Sequence, residues 1–339
     1  MRILHCIMTH EFSGTERYVT ELAAMQARHH DVCIHVARRT DDPLTGSDIA
    51  PHIAAPVRMI RAGYGGYCVS YLKTLGSFRP DVVHTHLGKS TFRLGLLPRP
   101  RRVPLVATLH SRFRKRAYNR CDALICIARW QEAEIPPSFR GARTVIGNWT
   151  HARPRPTPAE RQRMRAQFGI GDSTFLIGAG GRMIPKKGFD ILLRAFQQAA
   201  LPDARLILFG DGPERARLEA MGGGHVIFPG FRTDFPSDLY MLDGFVMPSL
   251  HEAFGLALLE AMSADLPVIA TAAGGVLDIL DPSSPSLVPP GDVAAMTRAL
   301  RHMHTQQGPG HWDMQRFNPE HQARLIEAFY NRLRAGAYA

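Results

Sequence analysis

Short β-rich runs alternate with helix-forming stretches twice along this chain, and a proline-rich segment separates the two series. The first series has strand-like runs at residues 2–7, 32–37, 82–85, 105–109 and 124–127 and a helical stretch at 16–29. The second has strand-like runs at 174–178, 205–209, 225–228, 244–247 and 267–271 and helical stretches at 190–199 and 214–221. Strands that alternate with helices form parallel sheets. The pattern predicts an α/β protein with two doubly wound parallel sheets.

The 339 residues are enough for two domains of ordinary size. The segment from Asn148 to Pro158 contains three prolines in its second half and is typical of an interdomain connection. The chain after Pro319 carries apolar residues at helical spacing. We therefore expect a first domain at residues 1–150, a second at 151–318, and a C-terminal helix and tail at 319–339.

The run from Asp243 to Ser263 carries the most informative chemistry. A short buried strand ends at Pro248, and a helix is predicted from about Gly255, so that Glu252 lies in the loop and Glu260 in the helix. At the N-terminus of this helix the backbone amides of Phe254, Gly255 and Leu256 have no helical acceptor and favour an anion. A phosphate held by these amides, between two carboxylates that accept hydrogen bonds from hydroxyls, suggests a sugar nucleotide as ligand.

This run resembles the E-x7-E motif of the retaining glycosyltransferases of family 4, with matching residues on both sides of the two glutamates. The resemblance implies the GT-B fold: two Rossmann-like doubly wound domains that face a central cleft, with the last helix crossing back to the first domain. It implies that the first domain binds the acceptor and the second binds a nucleotide sugar. Glu252 would then bind hydroxyls of the donor sugar, and Glu260 would bind the ribose.

Further segments resemble parts of the donor site in that family. Gly180 to Gly188 is similar to a segment in which one Arg and one Lys neutralise the diphosphate, which implies these roles for Arg182 and Lys187. Fixed cations stabilise the negative charge that a departing nucleoside diphosphate gains. The segment ending in Phe231 resembles the one that faces the nucleotide base. We expect a UDP-sugar as donor, with GDP-mannose as the second choice.

The first half contributes two candidate site residues by the same resemblance. Gly14 lies where the family has a glycine-rich loop near the diphosphate, although this chain has one glycine where two are common. His110 matches the histidine of a Thr-x-His segment after a strand, which implies a place near the sugar and the acceptor. For His84 and His86 we expect the two rings to diverge from their strand, in structural or acceptor-side roles and without a metal.

The formal charge of +11 belongs entirely to the first half, because residues 1–152 hold 22 Lys/Arg against 11 Asp/Glu and the remainder holds 19 of each. Val82 to Cys121 contains ten basic residues and no acidic one. Such a surface attracts anionic lipid headgroups, phosphorylated acceptors or nucleic acid. We predict a peripheral enzyme at the inner face of the cytoplasmic membrane that acts on a lipid-linked or phosphate-bearing glycan, as in lipopolysaccharide or other cell-envelope polysaccharide synthesis.

No Asp-x-Asp motif is present to hold a divalent cation, so we expect metal-independent transfer of a hexose with no cofactor. The five cysteines are odd in number and lie mostly in apolar runs, which favours reduced thiols. Two alternatives stay open. The basic residues interleaved with Phe92, Phe113 and Tyr118 could bind nucleic acid, although we expect none as a partner. A GT-B enzyme without transfer activity, such as a sugar-nucleotide epimerase, would share the fold.

Overall fold

The computed structural model of the chain describes residues 1–9, 12–37, 48–100 and 102–336. Its strands are β1 (Arg2–Ile7), β2 (Asp31–Ala37), β3 (Arg58–Ala62), β4 (Val82–His86), β5 (Leu105–Leu109), β6 (Ala123–Cys126), β7 (Ala142–Val145), β8 (Phe175–Gly180), β9 (Ala204–Phe209), β10 (Val226–Gly230), β11 (Gly244–Met247), β12 (Val268–Thr271) and β13 (Leu287–Val288). Its helices are α1 (Gly14–Gln26), α2 (Tyr67–Phe78), α3 (Gly88–Leu94), α4 (Lys115–Tyr118), α5 (Arg129–Ala133), α6 (Pro158–Ala166), α7 (Phe189–Ala199), α8 (Arg215–Gly222), α9 (Phe235–Asp238), α10 (Leu256–Ser263), α11 (Val293–Gln306) and α12 (Pro319–Arg334).

The chain divides into two compact units, one formed by Met1–Asn148 with Pro319–Ala339 and the other by Trp149–Asn318. In the first unit seven strands form a sheet in the order β3-β2-β1-β4-β5-β6-β7. In the second, six strands form a sheet in the order β10-β9-β8-β11-β12-β13. Every neighbouring pair in both sheets is parallel. The prediction of two doubly wound parallel sheets is therefore confirmed.

Each sheet reverses its strand order at one place. In the first sheet the reversal lies between β1 and β4, and in the second it lies between β8 and β11. Helices that leave these strands in opposite directions open a crevice at the carboxyl ends, which is where ligands bind in open α/β sheets. Ligand sites are therefore expected at these two reversal points.

The two faces of the first sheet differ in chemistry. One face carries an apolar core cluster of this unit, which includes Leu4, Cys6 and Val83. The opposite face carries the buried polar residues His5, His84 and Thr108. Because side chains alternate along a strand, these polar residues share one side of the sheet. Helices α1 and α12 pack against each other in the same unit.

The sequence analysis did not anticipate β3 and β7, which end the first sheet on either side. Both strands contain arginine and are largely accessible, so neither shows the apolar run that marks a central strand. The strand β13 was also missed, because its two residues are too few to show a pattern. Among the described residues, no helix has the length and apolar character needed to cross a lipid bilayer.

Candidate active site

Two chain segments meet at the reversal point of the second sheet. One follows β8 and contains Lys187, and the other follows β11 and contains Glu252. Gly188 joins them closely, because a Cβ atom at this position would lie 2.1 Å from the carbonyl oxygen of Pro248. Its φ of +65° is in the left-handed region that favours glycine. This approach of two backbones places Lys187 beside the loop that carries Glu252.

Lys187 and Glu252 form an ion pair at this point. The Lys187 Nζ atom lies 2.5 Å from Glu252 Oε2, and the two side chains are only 21% and 12% exposed. The Ser249 hydroxyl donates to the same oxygen at 3.1 Å, and the Ala253 N–H donates to Glu252 Oε1 at 3.1 Å. Because charge-assisted hydrogen bonds hold both of its oxygens, the carboxylate has a fixed orientation.

Arg182 lies next to this pair along the chain, just after β8. Gly181 lies between the end of β8 and Arg182, and the Lys187 side chain covers it. An added Cβ at Gly181 would lie 3.6 Å from Lys187 Cε. The Arg182 side chain is exposed, and none of the ion pairs found among residues 1–9, 12–37, 48–100 and 102–336 includes it. The site therefore offers one cation already paired with a carboxylate and a second that remains open to an anion.

The N-terminus of α10 completes this group of charges and dipoles. Gly255 precedes the helix with φ +116°, and α10 itself has eight residues. In the described part of the chain, the N–H groups of Phe254, Gly255 and Leu256 have no protein acceptor. Glu260 lies in α10 and is 5% exposed. We call Arg182, Lys187, Glu252 and the amides of residues 254–256 the donor platform.

Two supporting contacts of the donor platform were not anticipated from the sequence. A Cβ at Gly275 would lie 2.4 Å from Phe254 Cα, and the Gly275 N–H donates to the Glu252 carbonyl oxygen at 3.1 Å. The Thr271 hydroxyl donates to the Ser249 carbonyl oxygen. The turn after β12 therefore packs directly on the Glu252 loop. The pair Gly274-Gly275 is the sequence feature that indicates this turn.

Phe231 follows β10 at the same edge of the sheet. It is 57% exposed. The adjacent Arg232 forms two hydrogen bonds with the Asp238 carboxylate, at 2.8 and 3.0 Å. Phe231 rather than Arg232 is therefore the side chain that remains available for a ligand.

Gly14 and His110 belong to the first unit. Gly14 is the first residue of α1, and the preceding Ser13 donates from its N–H and its hydroxyl to the Glu16 carboxylate, at 3.0 and 2.7 Å. Glu11, from the same predicted loop, lies outside the described residues. His110 directly follows β5 and is partly exposed at the carboxyl edge of the first sheet.

The expectation that the rings of His84 and His86 diverge is wrong. Residues two apart on a strand point to the same face, and the two ring centroids lie 4.2 Å apart. His5 on the neighbouring β1 is the register partner of His84 and lies on that face too. One nitrogen from each of the three rings lies within 4.8 Å of the others. The reason given for excluding a metal pair therefore fails, although each ring nitrogen is hydrogen-bonded within the protein.

The hydrogen bonds of this histidine cluster (His5, His84, His86 and His110) fall into two sets. His5 Nε2 lies 2.8 Å from Gln26 Oε1, His5 Nδ1 lies 3.1 Å from His86 Nε2, and His86 Nδ1 lies 3.3 Å from His110 Nε2. His84 instead pairs with the hydroxyls of Thr108, at 2.7 Å, and Tyr330, at 2.6 Å.

Burial keeps the histidine cluster uncharged. It lowers the pKa of His5 to about 4 and of His110 to about 3. The pKa values of His84 and His86 are lowered well below the ordinary range by burial first and by the neighbouring rings second. All four rings are therefore neutral near pH 7.

The aromatic residues considered for base stacking are engaged within the protein. Tyr118 is 2% exposed. The guanidinium of Arg116 lies over the Phe92 ring, 4.8 Å from its centroid. Phe113 packs near Tyr118 and Phe139, with ring centroids 5.9 and 6.1 Å apart. This arrangement does not favour the nucleic-acid alternative, because Tyr118 is buried and Arg116 already covers one face of the Phe92 ring.

Comparisons with known proteins agree with this architecture. Residues 12–152 match the family described as Glycosyltransferase Family 4, and residues 174–306 match the family described as Glycosyl transferases group 1. A solved structure of Anabaena HepE in complex with UDP and glucose aligns over 99% of both chains with a TM-score of 0.74 at 21% identity. This likeness shows the GT-B fold.

Among curated proteins, the 2-deoxystreptamine N-acetyl-D-glucosaminyltransferase of Streptomyces fradiae is 31% identical over 66% of this chain and 62% of its own length. The lipopolysaccharide core biosynthesis glycosyltransferase LpsD of Rhizobium meliloti is 32% identical over 55% of this chain and 54% of its own length. The matched region spans between about half and three-fifths of these relatives. Together with the two family matches, these similarities show that the chain belongs to the glycosyltransferases of family 4.

Proposed function

We propose that this chain is a retaining hexosyltransferase that moves a sugar from a nucleoside diphosphate, UDP first and GDP second, to a hydroxyl group of its acceptor. The observation that carries this proposal is the donor platform. It combines two cations, a fixed carboxylate and three open amides at the reversal point of a parallel sheet. A diphosphate needs the cations and amides, and a sugar needs the carboxylate.

In the proposed reaction, the bond between the anomeric carbon and the diphosphate breaks as the acceptor oxygen bonds to the same face of the sugar. The electron pair of the broken bond stays on the diphosphate. Arg182, Lys187 and the α10 amides stabilise this charge. The leaving diphosphate takes the proton of the incoming hydroxyl. No metal ion or other cofactor takes part in this scheme.

The remaining site residues bind rather than react. Glu252 accepts hydrogen bonds from donor-sugar hydroxyls, Glu260 binds the ribose, and Phe231 packs on the base. Gly14 permits close approach to the diphosphate, and His110 hydrogen-bonds a substrate hydroxyl. In the absence of ligand the pairing of Lys187 with Glu252 keeps both charges partly compensated in a half-buried site, which lowers the desolvation cost of holding them there.

A thermal-shift experiment tests the donor proposal. UDP, GDP, UDP-glucose and GDP-mannose are each added without metal, and a bound nucleotide raises the melting temperature by mass action. Arg182→Ala should remove most of the shift. Lys186→Ala is the matched control, because Lys186 is also exposed and lies in the same segment. The donor site would be in the wrong place if both variants kept the full shift. If none of the four compounds stabilised the parent chain, the proposal of a nucleotide-sugar enzyme would fail.

We further propose that the acceptor is an anionic, lipid-linked or phosphate-bearing glycan at the inner face of the cytoplasmic membrane. The surplus of positive charge in residues 1–152 favours such a partner. It disfavours an amine-bearing acceptor such as 2-deoxystreptamine, on which the Streptomyces fradiae relative acts. The Rhizobium relative acts in lipopolysaccharide core synthesis, which is the kind of acceptor proposed here.

Exposed apolar side chains in the same unit support a lipid surface. Val69 and Leu72 on α2 are 58% and 39% exposed, and Tyr64 and Leu96 are 37% and 52% exposed. Arg93 lies over the Tyr64 ring at 4.6 Å, which joins a cation to this apolar set. Apolar side chains among basic residues are typical of surfaces that lie on anionic membranes.

Co-sedimentation with liposomes tests the membrane proposal. The parent chain should bind phosphatidylglycerol-containing vesicles and leave neutral vesicles unbound. Leu72→Asp should weaken this binding. Leu325→Asp is a matched control, because Leu325 is a helical leucine of the same unit with 40% exposure. Equal binding to anionic and neutral vesicles, or equal loss in both variants, would contradict the proposal.

A further inference from the structure

The histidine cluster contains a continuous chain of hydrogen bonds that ends at a candidate site residue. It runs from Gln26 on α1 through His5 on β1 and His86 on β4 to His110. Gln26, His5 and His86 are fully buried. The donor platform gives no role to these three residues, and the hydrogen bonds that join them lead to the residue expected to contact the substrate.

The position of each proton in this chain follows from its first member. In this structure the side-chain oxygen of Gln26, which has no hydrogen, faces His5, so His5 Nε2 donates to it. The buried amide nitrogen of Gln26 is left without a hydrogen bond among the described residues. A neutral imidazole carries one N–H, so His5 Nδ1 is an acceptor and His86 Nε2 must donate to it. The same reasoning makes His86 Nδ1 an acceptor and His110 Nε2 its donor.

We propose that Gln26, His5 and His86 are positioning residues that hold His110 in a single tautomer, with Nε2 protonated and Nδ1 free to accept a hydrogen bond from a substrate hydroxyl. The part of this inference that concerns the substrate rests on the proposed transferase function. In the described part of the chain, His110 Nδ1 has no protein partner. His110 thus differs from a histidine that donates to the substrate, and it selects a hydroxyl hydrogen rather than an oxygen lone pair.

The neutral state of the rings is necessary for this arrangement. An imidazolium within the chain would have two N–H groups, and one of them would face another donor. Burial disfavours that charge in each of the three rings. The chain of bonds therefore has one consistent direction near neutral pH, and Gln26 determines it.

The direct test is nitrogen NMR of the full chain labelled with 15N-histidine, in which protonated and unprotonated ring nitrogens have clearly separated shifts. The His110 signals are assigned with His110→Asn. In the parent chain we expect Nε2 of His5, His86 and His110 to be protonated and Nδ1 of each to be unprotonated. A protonated Nδ1 at His110 would overturn the proposal, since it would mean that the Gln26 amide is turned and donates to His5.

Two leucine variants separate positioning from packing. His86→Leu breaks the chain, whereas His84→Leu removes an equally buried ring from the same strand that bonds only to Thr108 and Tyr330. We expect both to lower stability and only His86→Leu to give a mixture of His110 tautomers. If His86→Leu does not fold, Gln26→Met removes the anchor of the chain and should give the same mixture. An unchanged His110 tautomer in the folded variant would overturn the proposal.

Activity gives an independent readout. With UDP-glucose and an accepted acceptor, His86→Leu should lower kcat about tenfold while the thermal shift caused by UDP stays that of the parent. A fixed His110 tautomer in a chain that transfers no sugar would leave the positioning role intact and refute the transferase function. Retention of one equivalent of zinc that is lost in His5→Leu would overturn the proposal, because the ring nitrogens would then bind metal.

Discussion

At the scale of single residues, the donor platform depends on one glycine as much as on its charges. Gly188 allows the segment after β8 to touch the carbonyl oxygen of Pro248, and this contact sets the distance between Lys187 and Glu252. The charged residues themselves have side chains that can move by several rotatable bonds. The backbone approach has no such freedom, so the glycine is the stricter requirement.

Gly188→Ala should therefore lower both stability and nucleotide binding. The added Cβ would lie 2.1 Å from a backbone oxygen, so the two segments must separate. Gly169→Ala is a matched control, because Gly169 has nearly the same φ, +66°, and nothing within 4 Å of the added atom. We expect the control to lose about 1 kcal/mol from left-handed strain alone and to keep the thermal shift with UDP. Equal effects in the two variants would show that strain rather than contact matters at Gly188.

Sequence reasoning identified the charged residues of the site better than their supports. The E-x7-E run and the Gly-Arg…Lys-Gly segment led to Lys187 and Glu252, which the structure brings into contact. Ser249 and Thr271 were not identified, because single hydroxyl residues occur everywhere and show their role only through tertiary contacts. For His84 and His86 the face assignment was wrong, although the period of a strand would have given it correctly.

At the scale of secondary-structure elements, the central strands were predictable, whereas three of the four edge strands, β3, β7 and β13, were not. The range predicted for the strand before Pro248, 244–247, coincides with β11, which is buried throughout. β3 and β7 lie at the edges and carry arginines that no periodic pattern identifies. A central parallel strand is buried on both faces and therefore has an apolar run. The edge strands β3 and β7 are partly exposed to solvent, so polar side chains are tolerated in them.

The helix α6 shows an element fixed by a buried charge rather than by an apolar stripe. Arg165 is fully buried, donates to the Met241 carbonyl oxygen at 2.8 Å and lies 3.1 Å from the Asp243 carboxylate. Asp243 also accepts from the Leu176 N–H at 2.7 Å. These bonds attach α6 to the amino ends of β8 and β11, opposite the donor platform.

Arg165→Met should lower the free energy of unfolding by about 3 kcal/mol, since it leaves a partly buried carboxylate with fewer partners. Arg163→Met is the control, because Arg163 is exposed on the same helix, and we expect a change within about 0.5 kcal/mol. Urea denaturation followed by circular dichroism measures both. A loss of less than 1 kcal/mol in Arg165→Met would mean that apolar packing, and not this ion pair, holds α6.

At the scale of the whole molecule, charge and histidine chemistry are concentrated in the first unit. The net positive charge lies in residues 1–152, and so do the buried histidines His5, His35, His84 and His86. The second unit instead balances its charges and holds the donor platform. The sequence predicted this division of charge directly, because counting needs no structure. It did not predict that His5, His84 and His86 gather on one sheet face, because that depends on strand order.

Stability should therefore fall as the pH decreases below about 6.5. Burial lowers the pKa of His5 and His35 to about 4 and those of His84 and His86 well below 6.5. Between pH 4 and 6.5 the unfolded chain binds protons that the folded chain does not, so acid favours unfolding. At the lower end of this window, each such histidine lowers the free energy of unfolding by up to about 1.4 kcal/mol for each pH unit of acidification. Above pH 6.5 its full stabilising contribution is present.

Urea denaturation of the parent chain at pH 7.0, 6.0 and 5.0 measures this dependence. Removing one buried ring in His84→Leu should lower stability at pH 7 and reduce the loss between pH 6 and pH 5 by up to about 1.4 kcal/mol. His302→Leu, at an exposed position on α11, should keep the pH dependence of the parent. If the parent chain were equally stable at pH 7 and pH 5, the buried rings would already be protonated in the folded state. The neutral rings that the single tautomer of His110 requires would then be lost between pH 7 and pH 5, so this measurement tests the histidine cluster independently of NMR and of catalysis.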